Sequence, residues 1–171
     1  MKGFVQVYTG NGKGKTTAAL GLALRAAGAG LKTYFAQFVK GNEYSEHKAL
    51  ALLSDSIKVK QYGNGFLLHR EPDAKDVRAA REGLAEIREI MLSGTFDIVI
   101  LDEADIATYY GLFSVEDILA LLQARPARME MVITGRYADP RIIEVADLVT
   151  EMKEVKHYYK QGVMARDGIE K

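Results

Sequence analysis

Short apolar runs typical of β-strands alternate with longer helix-forming segments along this sequence. Residues 3–8 are rich in β-branched and aromatic side chains and stop at a glycine cluster, as a buried strand does. Residues 16–29 follow, dense in Ala and Leu, with Gly28 and Gly30 placed as C-terminal caps. Repeated alternation of this kind predicts an α/β fold, a mostly parallel sheet with helices on both faces. Ligands of such sheets bind at the carboxyl ends of the strands.

A helix and a buried strand in the second half of the chain have the clearest patterns. Residues 73–92 carry apolar side chains on one face and charges elsewhere, the pattern of an amphipathic helix lying on a sheet. Residues 96–101 are almost entirely apolar, as a parallel strand buried on both faces would be. The other predicted elements are strands over 32–38, 57–62, 129–134 and 148–152 and helices over 45–53, 114–123 and 140–146. No linker or internal repeat interrupts them, so we expect residues 1–171 to form a single domain.

A glycine-rich stretch, TGNGKGKTT, connects the first predicted strand to the first predicted helix. This context is that of a phosphate-binding loop, or P-loop, in which main-chain N–H groups and the helix N-terminus point at phosphate oxygens. Lys15 is predicted to contact the phosphates, and the hydroxyl of Thr16 is predicted to bind a bridging magnesium ion. The usual pattern has glycine at the position of Thr9. A glycine-rich turn that binds nothing is the alternative.

Acidic residues follow the predicted buried strand. Asp102 and Glu103 would lie at the same edge of the sheet as the glycine-rich loop, where they would face the magnesium as a Walker B pair. An acidic turn without a ligand is the alternative. A Glu after a Walker B Asp often orients water for hydrolysis, so these residues also allow an ATPase. Asp105 is expected to be solvated, and Arg136, after the next strand, would contact the triphosphate or form a surface salt bridge.

Composition and charge exclude several classes of function. Lys plus Arg equals Asp plus Glu at 23 each, and no block of like charges indicates a nucleic-acid partner. Cysteine is absent, which excludes disulfides, thiolate zinc sites and cysteine catalysis and fits a reducing cytoplasm. No apolar run approaches the roughly 18 residues of a membrane-spanning helix. We therefore expect a cytoplasmic protein that acts on neither nucleic acid nor membrane.

Several motifs together connect the sequence with a known family. They are VYTGNGKGKTTAALGLALRAAG, QFVKG, YGNGF, VILDE, ITGR and VKHYYKQGVMARDGIE, in this order over residues 7–170. In these motifs the sequence resembles the P-loop family of ATP:corrinoid adenosyltransferases. The resemblance implies a P-loop NTPase-like, RecA-like sheet. One element departs from the family's KGxxxxGE motif, because residues 40–46 read KGNEYSE, with Ser45 before the glutamate in place of glycine.

The resemblance implies a reaction and a set of site residues. Family members bind MgATP and a cobalamin-type or cobinamide-type corrinoid, and the reduced cobalt attacks the ribose C5′ so that triphosphate leaves. In the family the nucleotide lies reversed in the loop relative to ordinary NTPases. Thr16 and Glu103 are implied magnesium ligands, with Asp102 beside them, and Lys15 and Glu103 are implied catalytic residues. The implied ATP contacts are Gly10, Asn11, Gly12, Lys13, Gly14, Lys15, Thr16 and Thr17, together with Arg136.

The corrinoid site is implied by the resemblance alone. Family members place an aromatic-bearing loop beneath cobalt, where it removes the lower axial ligand and makes reduction to Co(I) accessible. Phe66 matches one such aromatic residue and is implied to be catalytic. Leu68 stands where the family often has Trp, and an aliphatic side chain there can still exclude water. The resemblance also implies a homodimer and a flavodoxin-like reductant.

Two other functions are compatible with parts of the sequence. A small P-loop kinase or ATPase would need only Lys15, Thr16 and the pair Asp102 and Glu103, and it would cleave ATP at the γ-phosphate. A nucleotide-dependent carrier would bind a corrinoid or a protein without turnover. A complete magnesium triphosphate site is more than such a carrier needs, which ranks the carrier last of the three functions.

Overall fold

The computed structural model describes residues 2–63, 65 and 70–171, which form a six-stranded sheet flanked by helices. The strands are β1 (Val5–Thr9), β2 (Thr33–Phe38), β3 (Ile57–Tyr62), β4 (Ile98–Asp102), β5 (Glu130–Thr134) and β6 (Leu148–Glu151). The helices are α1 (Lys15–Gly28), α2 (Ser45–Ala51), α3 (Ala74–Ser93), α4 (Ala104–Tyr109), α5 (Val115–Ala124) and α6 (Pro140–Val145). A short 3-10 helix covers Tyr158–Gln161. Among the described helices, none has the length and apolar character needed to cross a membrane.

All neighbouring strands of the sheet are parallel, in the order β3-β2-β4-β5-β1-β6. Strand β5 therefore lies between β1, which precedes the glycine-rich loop, and β4, which ends at the acidic pair. One strand inserted between these two is the RecA-like arrangement, so the predicted fold class is confirmed. The sheet is wholly parallel within the described residues, where the sequence predicted a mostly parallel one.

Helices cover both faces of the sheet because its inner strands are apolar on both sides. Alternate residues of β4 point to opposite faces. Ile98 and Ile100 belong to a core cluster with alanines of α1, whereas Val99 and Leu101 belong to a second cluster with α3, α5 and α6. Every residue of β4 is buried. The unbroken apolar run that predicted this strand therefore reflects burial between two layers of helices.

Two short elements were not predicted from the sequence. Helix α4 follows the acidic pair directly, and the 3-10 helix lies in the segment after β6. Helix α4 has only 6 residues, and it begins after Glu103, which adopts a left-handed backbone conformation with φ of 60°. A hydrophobic period cannot be recognised over so few residues, and a left-handed Glu leaves no sequence signal.

The core clusters predict a large difference between buried and exposed aliphatic side chains. Ile100 is fully buried, whereas Leu24 of α1 is 58% exposed. We expect Ile100→Ala to lower the free energy of unfolding by about 2–5 kcal/mol, because it leaves a cavity between two packed layers. The matched change Leu24→Ala should cost less than about 1 kcal/mol. Urea denaturation followed by circular dichroism measures both, and equal losses in the two variants would contradict this packing.

Candidate active site

The glycine-rich loop curls between the end of β1 and the start of α1. Gly10 and Gly14 have φ values of 95° and 122°, a region that side-chain-bearing residues rarely adopt. A Cβ atom at Gly10 or Gly12 would lie 2.6 Å from the carbonyl oxygen of Met152. The N–H of Gly12 donates to that same oxygen at 2.6 Å. The segment after β6 therefore packs directly on the loop, and its close approach requires glycine at these positions.

Lys15 places a positive charge inside the curl of this loop. Its side chain is buried, and Nζ donates to the carbonyl oxygens of Gly10 at 2.7 Å and Gly12 at 2.8 Å. Burial lowers the pKa of Lys15, and the nearby carboxylate of Glu103 opposes this effect. An ammonium group held by two neutral carbonyl groups has no carboxylate bound to it. Its charge can therefore attract an anion such as a polyphosphate.

Asp102 joins the ends of three strands to the start of α1. Its fully buried carboxylate accepts hydrogen bonds from Thr16 at 2.8 Å and Thr134 at 2.7 Å through Oδ1. Its Oδ2 accepts from Lys40 at 2.7 Å and Gln37 at 3.3 Å. Burial is the largest single effect on the pKa of Lys40, and it lowers this pKa. The charge of Asp102 opposes burial and raises the pKa of Lys40. The resulting ion pair keeps a buried carboxylate next to the phosphate loop.

Glu103 is oriented by an unusual backbone conformation. Its φ of 60° lies in the left-handed region, which is uncommon for residues other than glycine and clusters at functional sites. The N–H of Glu103 donates to the hydroxyl of Thr134 at 3.1 Å. Burial raises the pKa of Glu103 and Asp102 raises it further, whereas Lys40, Lys15 and Arg136 lower it. Within the described residues no group donates a hydrogen bond to this carboxylate, which leaves it available to a ligand.

The oxygen atoms at this edge of the sheet are suitable ligands for a magnesium ion. Magnesium prefers hydroxyl, carboxylate and phosphate oxygens, and the residues present are Thr16, Asp102 and Glu103. The described part of the chain holds no group of three or more His, Cys, Asp and Glu residues able to bind a metal by themselves. A magnesium ion at this edge would therefore need further oxygens from a nucleotide or from water.

Comparison with known proteins identifies the family. The model of the family described as ATP:corrinoid adenosyltransferase BtuR/CobO/CobP matches residues 1–170. The chain belongs to this family. It is 36% identical over 170 residues to a corrinoid adenosyltransferase of Pseudomonas aeruginosa, with 99% of this chain and 84% of that protein covered. A corrinoid adenosyltransferase of Escherichia coli K12 is also 36% identical, over 169 residues, with 99% and 86% covered.

A solved structure with low sequence identity has a similar fold. The flagellar accessory protein FlaH from Methanocaldococcus jannaschii superposes with a TM-score of 0.62, covering 88% of this chain and 71% of that chain. The two sequences are only 12% identical, so the similarity concerns the fold alone. It agrees with the RecA-like strand order of the sheet in this ATP:corrinoid adenosyltransferase family member.

The structure places most of the predicted site residues of this family member along one edge of the sheet. The loop residues, Asp102 and Glu103 lie there together, and the guanidinium of Arg136 is exposed beside them. Arg136 forms no hydrogen bond or ion pair with the described residues, so the alternative of a surface salt bridge is not observed there. Phe66 and Leu68 lie outside the described residues. The roles of all these residues stay predictions.

The exposed residues of the loop differ in their surroundings. Asn11 and Thr17 are exposed. Lys13 is held by the C-terminal segment, where Nζ donates to the carboxylate of Glu170 at 2.7 Å and to the hydroxyl of Tyr158 at 3.1 Å. The sequence did not predict this contact, nor did it predict the contacts of Met152 and Lys40 with the site. Lys40 lies in the family motif QFVKG, which was the one available signal.

The expectation for Asp105 was wrong. This residue is 1% exposed, and both carboxylate oxygens lack a hydrogen-bond partner within the described residues. The left-handed turn at Glu103 directs α4 back towards β5, and a Cβ atom on Gly135 would lie 2.6 Å from the Cβ of Asp105. Burial, followed by the charge of Glu103, raises the pKa of Asp105 to about 8.

The raised pKa of Asp105 makes the stability of the ligand-free protein depend on pH. Between about pH 4 and pH 8 the folded protein retains a proton that the unfolded chain has lost, so stability falls as pH rises. Asp105→Asn removes this loss, and we expect its stabilising effect to be larger at about pH 9 than at about pH 5 by on the order of 3 kcal/mol. Urea denaturation at both pH values measures it, with the exposed Asp55→Asn as control. A stability difference between Asp105→Asn and the native protein that is independent of pH would contradict the assignment.

Proposed function

We propose that this protein transfers the 5′-deoxyadenosyl group of ATP to the reduced cobalt of a corrinoid and releases triphosphate, in the formation or salvage of an adenosylated corrinoid. The observation that carries the proposal is the cationic glycine loop around Lys15 in a chain that belongs to the ATP:corrinoid adenosyltransferase family.

The proposed reaction breaks one bond and forms one bond. Co(I) supplies an electron pair to C5′ of the ribose, the cobalt–carbon bond forms, and the bond between C5′ and its oxygen breaks. The oxygen leaves with all three phosphates, so the leaving group is a highly charged anion and cobalt becomes formally Co(III). The protein must therefore bind and stabilise triphosphate rather than activate water.

The loop residues would stabilise this leaving group. Lys15 would contact the phosphate oxygens from inside the curl. Main-chain N–H groups of the loop other than that of Gly12, which donates to Met152, would donate hydrogen bonds to them. Arg136 is exposed at the same edge and would add positive charge, whereas the charge of Lys13 is paired with Glu170. Donors that are already arranged need no reorganisation when the negative charge develops. The rate acceleration would therefore come from preorganised charge at the phosphates.

A magnesium site is part of the same proposal. Thr16, Glu103 and Asp102 would hold the ion, which when bound would neutralise negative charge on the phosphates. The free carboxylate of Glu103 and the hydroxyl of Thr16 supply the oxygens that such an ion prefers. Glu103 would be a catalytic residue because its charge would be fixed beside the leaving phosphates.

The remaining parts of the proposal come from family membership. Phe66, with Leu68, would fill the space below the corrin ring and exclude a lower axial ligand from cobalt. We propose that residues 1–171 act as one catalytic domain, within a homodimer, and that a flavodoxin-like protein supplies the electron. The absence of cysteine fits a reaction in the cytoplasm.

Product analysis tests the proposed function. The protein is incubated with ATP, magnesium and chemically reduced cobalamin, and the visible spectrum of the corrinoid is followed in the dark and after illumination. A light-sensitive alkylcobalt spectrum with triphosphate in equal amount is expected. Orthophosphate without alkylation would instead indicate a kinase or ATPase, and tight corrinoid binding without product would indicate a carrier.

Replacement of Lys15 tests the role of the glycine loop most directly in the same assay. We expect Lys15→Met to lower kcat/KM for ATP by about 10²–10³-fold, because it removes a preorganised charge from the phosphate loop. Lys60→Met is the matched control, since Lys60 pairs with Glu86 on the surface and is half exposed. Unchanged alkylation kinetics in Lys15→Met would reject the assignment of this loop.

A further inference from the structure

Lys40 is the buried cation closest to the carboxylate of Asp102. Its side chain is only 8% exposed, and Nζ lies 2.7 Å from Oδ2 of Asp102. Gln37 donates to the same oxygen, while Thr16 and Thr134 donate to Oδ1. An ionised carboxylate has about four acceptor positions, so these donors occupy all of them.

The backbone holds Lys40 in this position. Val39, the preceding residue, has φ of 59°, which is strained for a β-branched residue and requires support from its surroundings. Gly63, which follows β3, provides this support by packing closely against the main chain of Lys40. A Cβ atom on Gly63 would lie 2.9 Å from both the N and the O atoms of Lys40. The ammonium group therefore reaches Asp102 from a firmly packed main chain. Because the Lys40 side chain is itself buried, the position of its ammonium group is restricted.

This arrangement affects how a divalent cation can bind. A metal ion ligated directly by Asp102 would have to displace one of the four donors, and it would meet the like charge of Lys40 at close range in a site shielded from water. The phosphates of a nucleotide add negative charge that offsets this repulsion. A metal ion would therefore be bound together with the nucleotide and not before it.

We propose that Lys40 is a positioning residue that keeps Asp102 out of direct metal coordination and restricts divalent-cation binding to the nucleotide-bound protein. Asp102 would then act on the metal through the hydroxyl of Thr16, with which it already shares a hydrogen bond. This inference rests on the proposed magnesium site and refines it, because it reassigns Asp102 from ligand to support.

Manganese binding without nucleotide tests the role of Lys40. Electron paramagnetic resonance titration counts free Mn²⁺ in solutions that contain neither ATP nor corrinoid. The native protein should show no saturable Mn²⁺ site below millimolar concentration, and Lys40→Met and Lys40→Gln should bind Mn²⁺ at least tenfold more tightly. Gln keeps a hydrogen-bond donor but removes the charge, so it separates the effect of charge from that of packing. Lys60→Met serves as the control and should behave as the native protein does.

Specific results would overturn the inference. A tight Mn²⁺ site in the native protein without nucleotide would do so directly, with no variant needed. Unchanged Mn²⁺ affinity in a Lys40→Gln protein whose circular dichroism matches the native spectrum would do so as well. Because these titrations contain no ATP or corrinoid, failure here is distinguishable from failure of the proposed function, which the alkylation products decide.

Discussion

The buried carboxylate of Asp102 is the interaction on which the rest of this site depends. It is fully shielded from water, and an unpaired charge in such a place would destabilise the fold by several kcal/mol. Hydrogen bonds from Thr16, Thr134, Lys40 and Gln37 satisfy it. These donors come from the start of α1 and from segments at the ends of β5 and β2. One carboxylate thus fixes the relative positions of the glycine loop and three neighbouring strands.

The balance of charge around Asp102 explains why the site suits a polyphosphate. Lys15, Lys40 and Arg136 supply positive charge near the carboxyl groups of Asp102, Glu103 and Asp105. Because burial raises the pKa of Asp105 to about 8, this carboxyl is mostly protonated near pH 7. The three cations then face two carboxylates, and the excess is positive. A polyphosphate offsets this excess, and charges that are already in place before it binds are the preorganisation that stabilises a charged leaving group.

The sequence predicted the fold well because its main signals are local. Every predicted strand and helix corresponds to an observed element, and β3 has the same bounds in both. What the sequence did not predict depends on contacts between distant segments. Asp105 is buried because Gly135, thirty positions away, lets α4 approach β5 closely. Lys40 reaches Asp102 because β2 and β4 are neighbours in the sheet, a fact that strand order alone supplies. Within the site, the loop residues were recognisable because the glycines, Lys15 and Thr16 have the spacing of a phosphate-binding loop between a strand and a helix.

In the proposed reaction the glycine loop binds three phosphates that leave together when the bond between C5′ and its oxygen breaks. ATP carrying ¹⁸O between C5′ and the α-phosphorus tests it most directly when supplied with magnesium and reduced corrinoid. The label is expected in triphosphate, where it shifts the ³¹P signal of one terminal phosphate. Label that stays with the nucleoside, or phosphate released as orthophosphate in proportion to turnover, would contradict it.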